Sequence, residues 1–208
     1  GNQSHTSVRA LNEFATFIRY SEASDIVKKV LSYGEPLMDK QVSSRKPFGL
    51  STTIEPLEEG DLLLRYNKGT GKYKASLITT GRDLIDMWKV IISYVSYDHA
   101  GQPDKEGMRK VMSVIELLPP RAVCTETYLV AGAYNNPEHA ENLQAYLGTR
   151  FVRFLVAQVA VSQHITRNCF SFVPIQDFSS KWSDERLFDK YQLTNEEIAF
   201  IQGMIREM

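Results

Sequence analysis

The chain has 208 residues, of which 43% are hydrophobic and 24% are charged. These proportions are typical of a soluble globular protein, and they exclude a disordered chain, a collagen and a bundle of membrane helices. The 24 lysines and arginines nearly balance the 25 aspartates and glutamates, so the net charge of −1 supplies no global basic field that would attract a nucleic acid. The two cysteines, Cys124 and Cys169, fit neither a disulfide framework nor a zinc motif. With no signal peptide visible, they fit a reducing cytoplasm. The longest apolar run, residues 154–161, is far too short to span a bilayer, so no membrane partner is expected.

The first residues predict a helix behind a short polar stretch. Residues 1–7 are polar and begin with Gly1 instead of methionine, which favours an excised piece of a longer protein with a cloning remnant in front. Val8, Leu11, Ala15 and Ile18 then recur at helical spacing. We therefore expect residues 1–20 to comprise an N-terminal helix and this candidate remnant.

Residues 21–182 are predicted to form the main domain. A helix over 24–33 precedes an irregular stretch around Pro47, and strands are expected over 61–66, 72–79, 88–97, 110–118 and 122–133. Residues 67–71 (Asn-Lys-Gly-Thr-Gly) form a strong hairpin signal between the first two strands. The pattern predicts one mixed sheet of about five or six strands.

The last third predicts helices again. An apolar stripe runs from Pro137 to Val161, with a candidate break at Gly148. Ser183 can cap a short helix, and residues 194–197 (Thr-Asn-Glu-Glu) form a capping box for the final one. Residues 183–208 are thus expected to be a helical tail packed on the same domain. The predicted fold class is α+β, a mixed sheet flanked by N-terminal and C-terminal helices.

No catalytic signature is found along the chain. Residues 135–138 (Asn-Asn-Pro-Glu) resemble the Asn-Pro-Pro-aromatic motif of amino-methyltransferases, but the second proline and the aromatic are missing, which favours an ordinary helix start. A metal-dependent nuclease site could be assembled from acids before the hairpin and lysines within it. The residues for that alternative are Glu59, Asp61, Lys72 and Lys74.

Local charge is more informative than net charge. Residues 62–82 contain five basic residues and no acid, interleaved with Tyr66 and Tyr73. Such a stripe suits backbone phosphates, although a solvated hairpin face has the same composition. We predict phosphate contacts by cations of the hairpin and of the loop before it: Arg45, Lys46, Lys68, Lys72 and Lys74.

A second polar segment follows the long apolar helix. It concentrates amide, imidazole, hydroxyl and guanidinium groups that can pair with base edges in the major groove. Its polar residues are Gln163, His164, Thr166, Arg167 and Asn168. We expect these side chains to read sequence from the exposed end of a helix, helped by Arg45 and the loop around His99. An ordinary capped helix end is the structural alternative.

Several motifs resemble the C-terminal part of bacterial adenine-specific DNA methyltransferases, enzymes of restriction–modification systems that include fusions of methyltransferase and endonuclease. The resemblance covers most of residues 40–208 and is densest from Arg121 onward. The motifs that carry it are residues 124–130 (Cys-Thr-Glu-Thr-Tyr-Leu-Val), 140–143 (Ala-Glu-Asn-Leu), 146–147 (Tyr-Leu), 151–155 (Phe-Val-Arg-Phe-Leu), 171–178 (Ser-Phe-Val-Pro-Ile-Gln-Asp-Phe), 182–185 (Trp-Ser-Asp-Glu) and 196–201 (Glu-Glu-Ile-Ala-Phe-Ile).

The resemblance implies a division of labour. In that family the catalytic domain lies upstream and holds S-adenosylmethionine, with magnesium expected where the parent also cleaves DNA, and the C-terminal region is the target-recognition domain. This chain resembles the second part alone, which implies sequence-specific recognition of double-stranded DNA, a catalytic domain of the parent chain as partner, and no cofactor or catalytic residue in this fragment. The alternatives are the nuclease domain and a protein-interaction module of a restriction complex.

Overall fold

The computed structural model describes residue 18 and residues 21–96, 103–160 and 162–208. Within these residues the fold is α+β, as predicted, with five α-helices and two three-stranded sheets. The helices are α1 (Ser21–Leu31), α2 (Pro137–Gly148), α3 (Arg150–Val159), α4 (Asp184–Lys190) and α5 (Asn195–Met204). The strands are β1 (Leu62–Tyr66), β2 (Gly69–Tyr73), β3 (Trp88–Ser93), β4 (Ile115–Leu118), β5 (Ala122–Cys124) and β6 (Tyr128–Tyr134).

The two sheets have different topologies. In the first sheet the β1–β2 hairpin turns through Asn67 and Lys68, and the short β5 pairs with β1 in parallel. In the second sheet β3 is the central strand and pairs antiparallel with β4 and with β6. The hairpin is confirmed, although β2 begins three residues earlier than predicted.

The predicted single sheet of five or six strands is wrong. The stretch predicted as one strand over 122–133 divides at residues 125–127, where the Tyr128 amide donates to the carbonyl of Thr125. The chain leaves the second sheet after β4, adds β5 to the first sheet and returns to the second as β6. This division has no glycine or proline to mark it, so its cause is the pairing of β5 with a distant strand and not a local turn signal.

The second sheet lies between two hydrophobic cores. Val90 and Ile92 of β3 face the larger core, which the five helices line, and Ile91 between them faces the smaller core against the first sheet. Because successive side chains of a strand point to opposite faces, β3 is buried on both sides. This explains why its sequence is continuously apolar and not alternating.

The helix boundaries follow local signals. The side chains of Asn136, Ser183 and Thr194 each cap the helix that they precede, and a break after Gly148 separates α2 from α3. α1 begins at Ser21 and not at Ser24, whose buried hydroxyl oxygen has no hydrogen-bond partner within the described residues. The predicted N-terminal helix lies outside the described residues except for Ile18, which is buried.

Two distant segments, residues 35–46 and 163–176, form what we call the ribbon, and they pair antiparallel at Leu37 and Pro174. The Ile175 amide donates to the Pro36 carbonyl (2.7 Å), and the Met38 amide donates to that of Val173 (2.8 Å). Further along, the Arg167 guanidinium donates to the backbone carbonyl of Asp39. The ribbon therefore has two ends, one beside α4 and one beside the end of β3.

The second sheet holds the ribbon at the end beside β3. Ser43 exchanges hydrogen bonds with Val130 of β6, and Ile165 donates its amide to the carbonyl of Tyr94, which follows β3. Gly132 allows this approach, because a Cβ there would lie 2.4 Å from the Gln41 side-chain nitrogen.

Among the described helices, none is long and apolar enough to cross a membrane.

Candidate nucleic-acid interface

The end of the ribbon beside β3, which we call the open end, gathers residues that the sequence predicted separately. The Arg45 guanidinium lies over the Tyr94 ring, 4.6 Å from its centre, and its Nε lies 3.1 Å from a carboxylate oxygen of Glu126. Lys46 lies 3.7 Å from the same oxygen. The fold therefore fixes both cations at one point of the surface.

Glu126 is the anchor of this arrangement. Its side chain is only 9% exposed, and its second carboxylate oxygen accepts the Thr52 amide at 3.1 Å. The Glu126 amide itself donates to the carbonyl of Leu50. The carboxylate that both cations face is therefore held in place by the backbone.

Residues 163–168, in the second segment of the ribbon, also lie at the open end. The His164 ring stacks on Tyr94 with centres 4.8 Å apart and planes 24° apart. Gln163, Arg167 and Asn168 are exposed, and Thr166 is half-buried against Cys169. Arg45 and His164 thus meet around one tyrosine although more than one hundred residues separate them in the chain.

The predicted helix end is wrong for this segment. α3 ends at Val159, His164 forms an isolated bridge with Val95, and a short 3₁₀ helix begins at Arg167. Hydrogen bonds across the bridge, from Ser96 to the Gln163 carbonyl and from Ile165 to that of Tyr94, hold the segment in place. The polar residues are therefore displayed from paired extended backbone followed by a single tight turn.

The open end is locally basic. Within residues 38–46, 94–96, 126 and 162–168 there are four cations and two acids. The cations are Lys40, Arg45, Lys46 and Arg167, and the acids are Asp39 and Glu126. This local excess contrasts with the net charge of −1 for the whole chain.

The hairpin lysines lie on a different element. Lys68 is in the turn and pairs with Glu55 at 2.8 Å, whereas Lys72 and Lys74 are exposed and have no ion-pair partner among the described residues. Since β1 and β5 are parallel, the turn with Lys68 and the segment with Glu126 follow the same end of the first sheet. Lys74 follows the opposite end of β2, about 17 Å from the first residue of that strand at the usual rise per residue. His99, the remaining predicted contact, lies outside the described residues.

Asp61, an acid of the nuclease alternative, is bound by other groups of the protein. Asp61 pairs with Arg121 and accepts the Ala75 amide at 2.9 Å, and this backbone hydrogen bond lowers the pKa of Asp61 most. The described residues contain no group of three histidines, cysteines or acids that could hold a metal ion. The stretch over 135–138 is a helix start as expected, because the Asn136 side chain accepts the Glu138 amide at 2.9 Å.

Sequence reasoning missed three contributors to the open end: Lys40, Tyr94 and Glu126. Tyr94 was assigned to a buried strand and Glu126 to the middle of another. Neither has a local signal, because their partners are distant in sequence. Comparison of the chain with models of protein families, with characterised proteins and with solved structures gives no match.

Proposed function

We propose that this chain is the DNA target-recognition domain of a restriction–modification methyltransferase, and that the open end of the ribbon faces the DNA. The observation that carries the proposal is that Arg45 and His164 both contact Tyr94, with Lys46 beside Arg45 at the Glu126 carboxylate. They come from two distant segments and are mounted on the second sheet. The sequence motifs that resemble such enzymes support the same assignment.

The chemistry of the open end suits both parts of DNA binding. Phosphate contacts position a protein on the duplex, and exposed cations such as Lys40 and Lys46 can make them. Amide, hydroxyl and guanidinium groups that are held rigidly can pair with base edges, and Gln163, Thr166 and Asn168 supply donors and acceptors beside the cations. We assign these residues to base contacts and the lysines to the backbone.

In this proposal catalysis belongs to the rest of the parent protein. The upstream domain would bind S-adenosylmethionine and transfer the methyl group to DNA in the cytoplasm, and magnesium would be needed only if the parent also cleaves. We assign no residue of this chain to either group. The role of this chain is to bind the target sequence so that the upstream domain can act on it.

The test is equilibrium binding of the full chain to a labelled DNA duplex over a range of salt concentrations. We expect the logarithm of the affinity to fall linearly with the logarithm of the salt concentration. Lys46→Ala should weaken binding to all sequences similarly and reduce the slope by about one unit. Lys181→Ala is the matched control, because Lys181 is an exposed lysine just before α4, away from the open end along the ribbon, and it should change neither quantity.

Other outcomes separate the alternatives. Magnesium-dependent cutting by the isolated chain would favour the nuclease, and binding to a restriction subunit without affinity for DNA would favour the interaction module. A chain that binds no duplex at low salt would overturn the proposal.

A further inference from the structure

We propose that Arg45 reads a base and does not simply contact a phosphate, and that the base is a guanine in the target site. The inference rests on the proposed function and deepens it, because it predicts a G·C pair at one position of the recognised sequence. The evidence for this inference is which of the five N–H donors of the Arg45 guanidinium have partners within the protein.

Arg45 is held on one side and free on the other. Its Nε faces the buried Glu126 carboxylate at 3.1 Å, and its plane lies over the ring of Tyr94. No described residue accepts a hydrogen bond from its two terminal nitrogens, and its side chain is 52% exposed. The terminal nitrogens of a stacked and ion-paired arginine are therefore left with their N–H donors available at the surface.

Two other arginines that lie over aromatic rings donate to protein groups from at least one terminal nitrogen. Arg65 over Tyr128 donates to both oxygens of Glu116 and, from its remaining terminal nitrogen, to two backbone carbonyls. Arg186 over Trp182 donates to the Ser180 hydroxyl and to the Lys181 carbonyl. Stacking on an aromatic ring therefore does not by itself leave both terminal nitrogens without an acceptor, which is the situation of Arg45.

The arrangement suits guanine. A guanidinium presents two parallel N–H donors that match the O6 and N7 acceptors of guanine in the major groove. The same fork can bind a phosphate, but a phosphate contact does not require a fork, and the neighbouring Lys46 ammonium can make one as a point charge. Fixing the fork before binding also reduces the side-chain entropy that is lost on contact. Rigidity is therefore most useful where geometry discriminates between bases.

The experiment selects binding sites for the full chain from a pool of duplexes with a randomised core. We expect the wild-type chain to enrich sites with one invariant guanine that Arg45→Ala and Arg45→Lys no longer enrich. Arg45→Lys decides between the readings, because it keeps the charge and removes the fork. The preference lost should be roughly 5- to 150-fold against the other bases, the range for one bidentate contact.

Two controls make the result specific. Lys46→Ala should lower affinity and keep the invariant guanine. Arg186→Ala replaces a stacked arginine whose Nη1 already donates to the Ser180 hydroxyl and the Lys181 carbonyl, and it should change neither quantity. Replacing the selected guanine with 7-deazaguanine, which lacks the N7 acceptor, should weaken binding of the wild-type chain and leave that of Arg45→Lys unchanged.

The failures are distinguishable. A chain without affinity for DNA overturns the proposed function itself. A chain that binds DNA, but whose selected sites lack an invariant guanine or keep it in both Arg45 variants, overturns only the role of Arg45. Equal weakening on all sequences by Arg45→Ala, with full rescue by Arg45→Lys, would make Arg45 a phosphate contact.

Discussion

The two ends of the ribbon use the same kinds of side chain in opposite ways. At the end beside α4, which we call the closed end, Lys190 donates to Glu35 and to Gln176, Tyr191 donates to Glu35, and Gln176 donates to Tyr191. These four groups complete a ring of hydrogen bonds. At the open end neither terminal nitrogen of Arg45 has an acceptor among the described residues, and Gln163 and Asn168 are exposed.

The difference shows what each end can do. At the closed end these side chains are bonded to one another, and they join α4 to both segments of the ribbon. Burial and the Glu35 carboxylate also raise the pKa of Tyr191, which keeps its hydroxyl a donor over a wide pH range. The open end is supported by the same ribbon but keeps its capacity for new hydrogen bonds.

The largest expected effect comes from breaking the closed end. Glu35→Ala removes the acceptor of both Lys190 and Tyr191 and leaves a partly buried charge and hydroxyl unpaired. We expect it to lower the free energy of unfolding by about 2–3 kcal/mol, measured by urea denaturation. Arg45→Ala at the open end should change it by less, about 1 kcal/mol, because Arg45 is half exposed and Glu126 keeps Lys46 and the Thr52 amide as partners. Similar losses for both variants would remove the distinction between the ends.

A second test concerns Lys89 and asks whether burying its ammonium group lowers the stability of the fold. The Lys89 ammonium is fully buried and donates to carbonyls of Leu84 (2.9 Å), Ile85 (3.1 Å), Met87 (2.6 Å) and Pro119 (3.4 Å). Burial lowers the pKa of Lys89 from 10.5 to about 8. The unfolded chain therefore binds more protons between these values, so the contribution of this group to stability rises as the pH increases through the window.

The measurement compares the wild-type chain with Lys89→Gln, which keeps N–H donors and removes the titration. The free energy of unfolding of the wild type, relative to the variant, should rise by about 1 kcal/mol per pH unit between the two pKa values. A difference that is flat with pH, or that falls, would show that the ammonium is not penalised by its enclosure.

The smallest expected effect comes from the hairpin. Lys68→Ala and Lys72→Ala should each change the free energy of unfolding by less than about 0.5 kcal/mol, since both are surface substitutions. They differ in ion pairing, because Lys68 pairs with Glu55, whereas Lys72 has no ion-pair partner among the described residues. If the hairpin also contacts DNA, Lys72→Ala should reduce the salt slope by about one unit and Lys68→Ala by less. An unchanged slope for both would restrict the interface to the open end.

Features with local causes could be predicted from the sequence. The caps at Ser183 and Thr194, the break after Gly148 and the hairpin turn depend on residues within a few positions of one another, and all are present. The predicted α1 started three residues late because Ser24, a good cap by type, is buried within the helix.

The rest depends on contacts between distant residues. The division after β5 required knowing that three residues pair with β1, and the open end required knowing that Tyr94 meets both Arg45 and His164. Composition indicated which polar groups were available for a site, including Arg45 beside the segment over 163–168. Their mounting on Glu126 and on the end of β3 is a property of the tertiary fold.

The crossing of β5 between the sheets has a consequence for the order of folding. The β1–β2 hairpin pairs neighbouring residues and can form early, but β5 reaches β1 only when the chain between Leu63 and Ala122 has closed. Since β5 is connected directly to β4 and β6, that closure also brings in the second sheet. We therefore expect the two sheets to form and melt together in one cooperative step, so that the surface carrying Arg45 is either wholly assembled or absent.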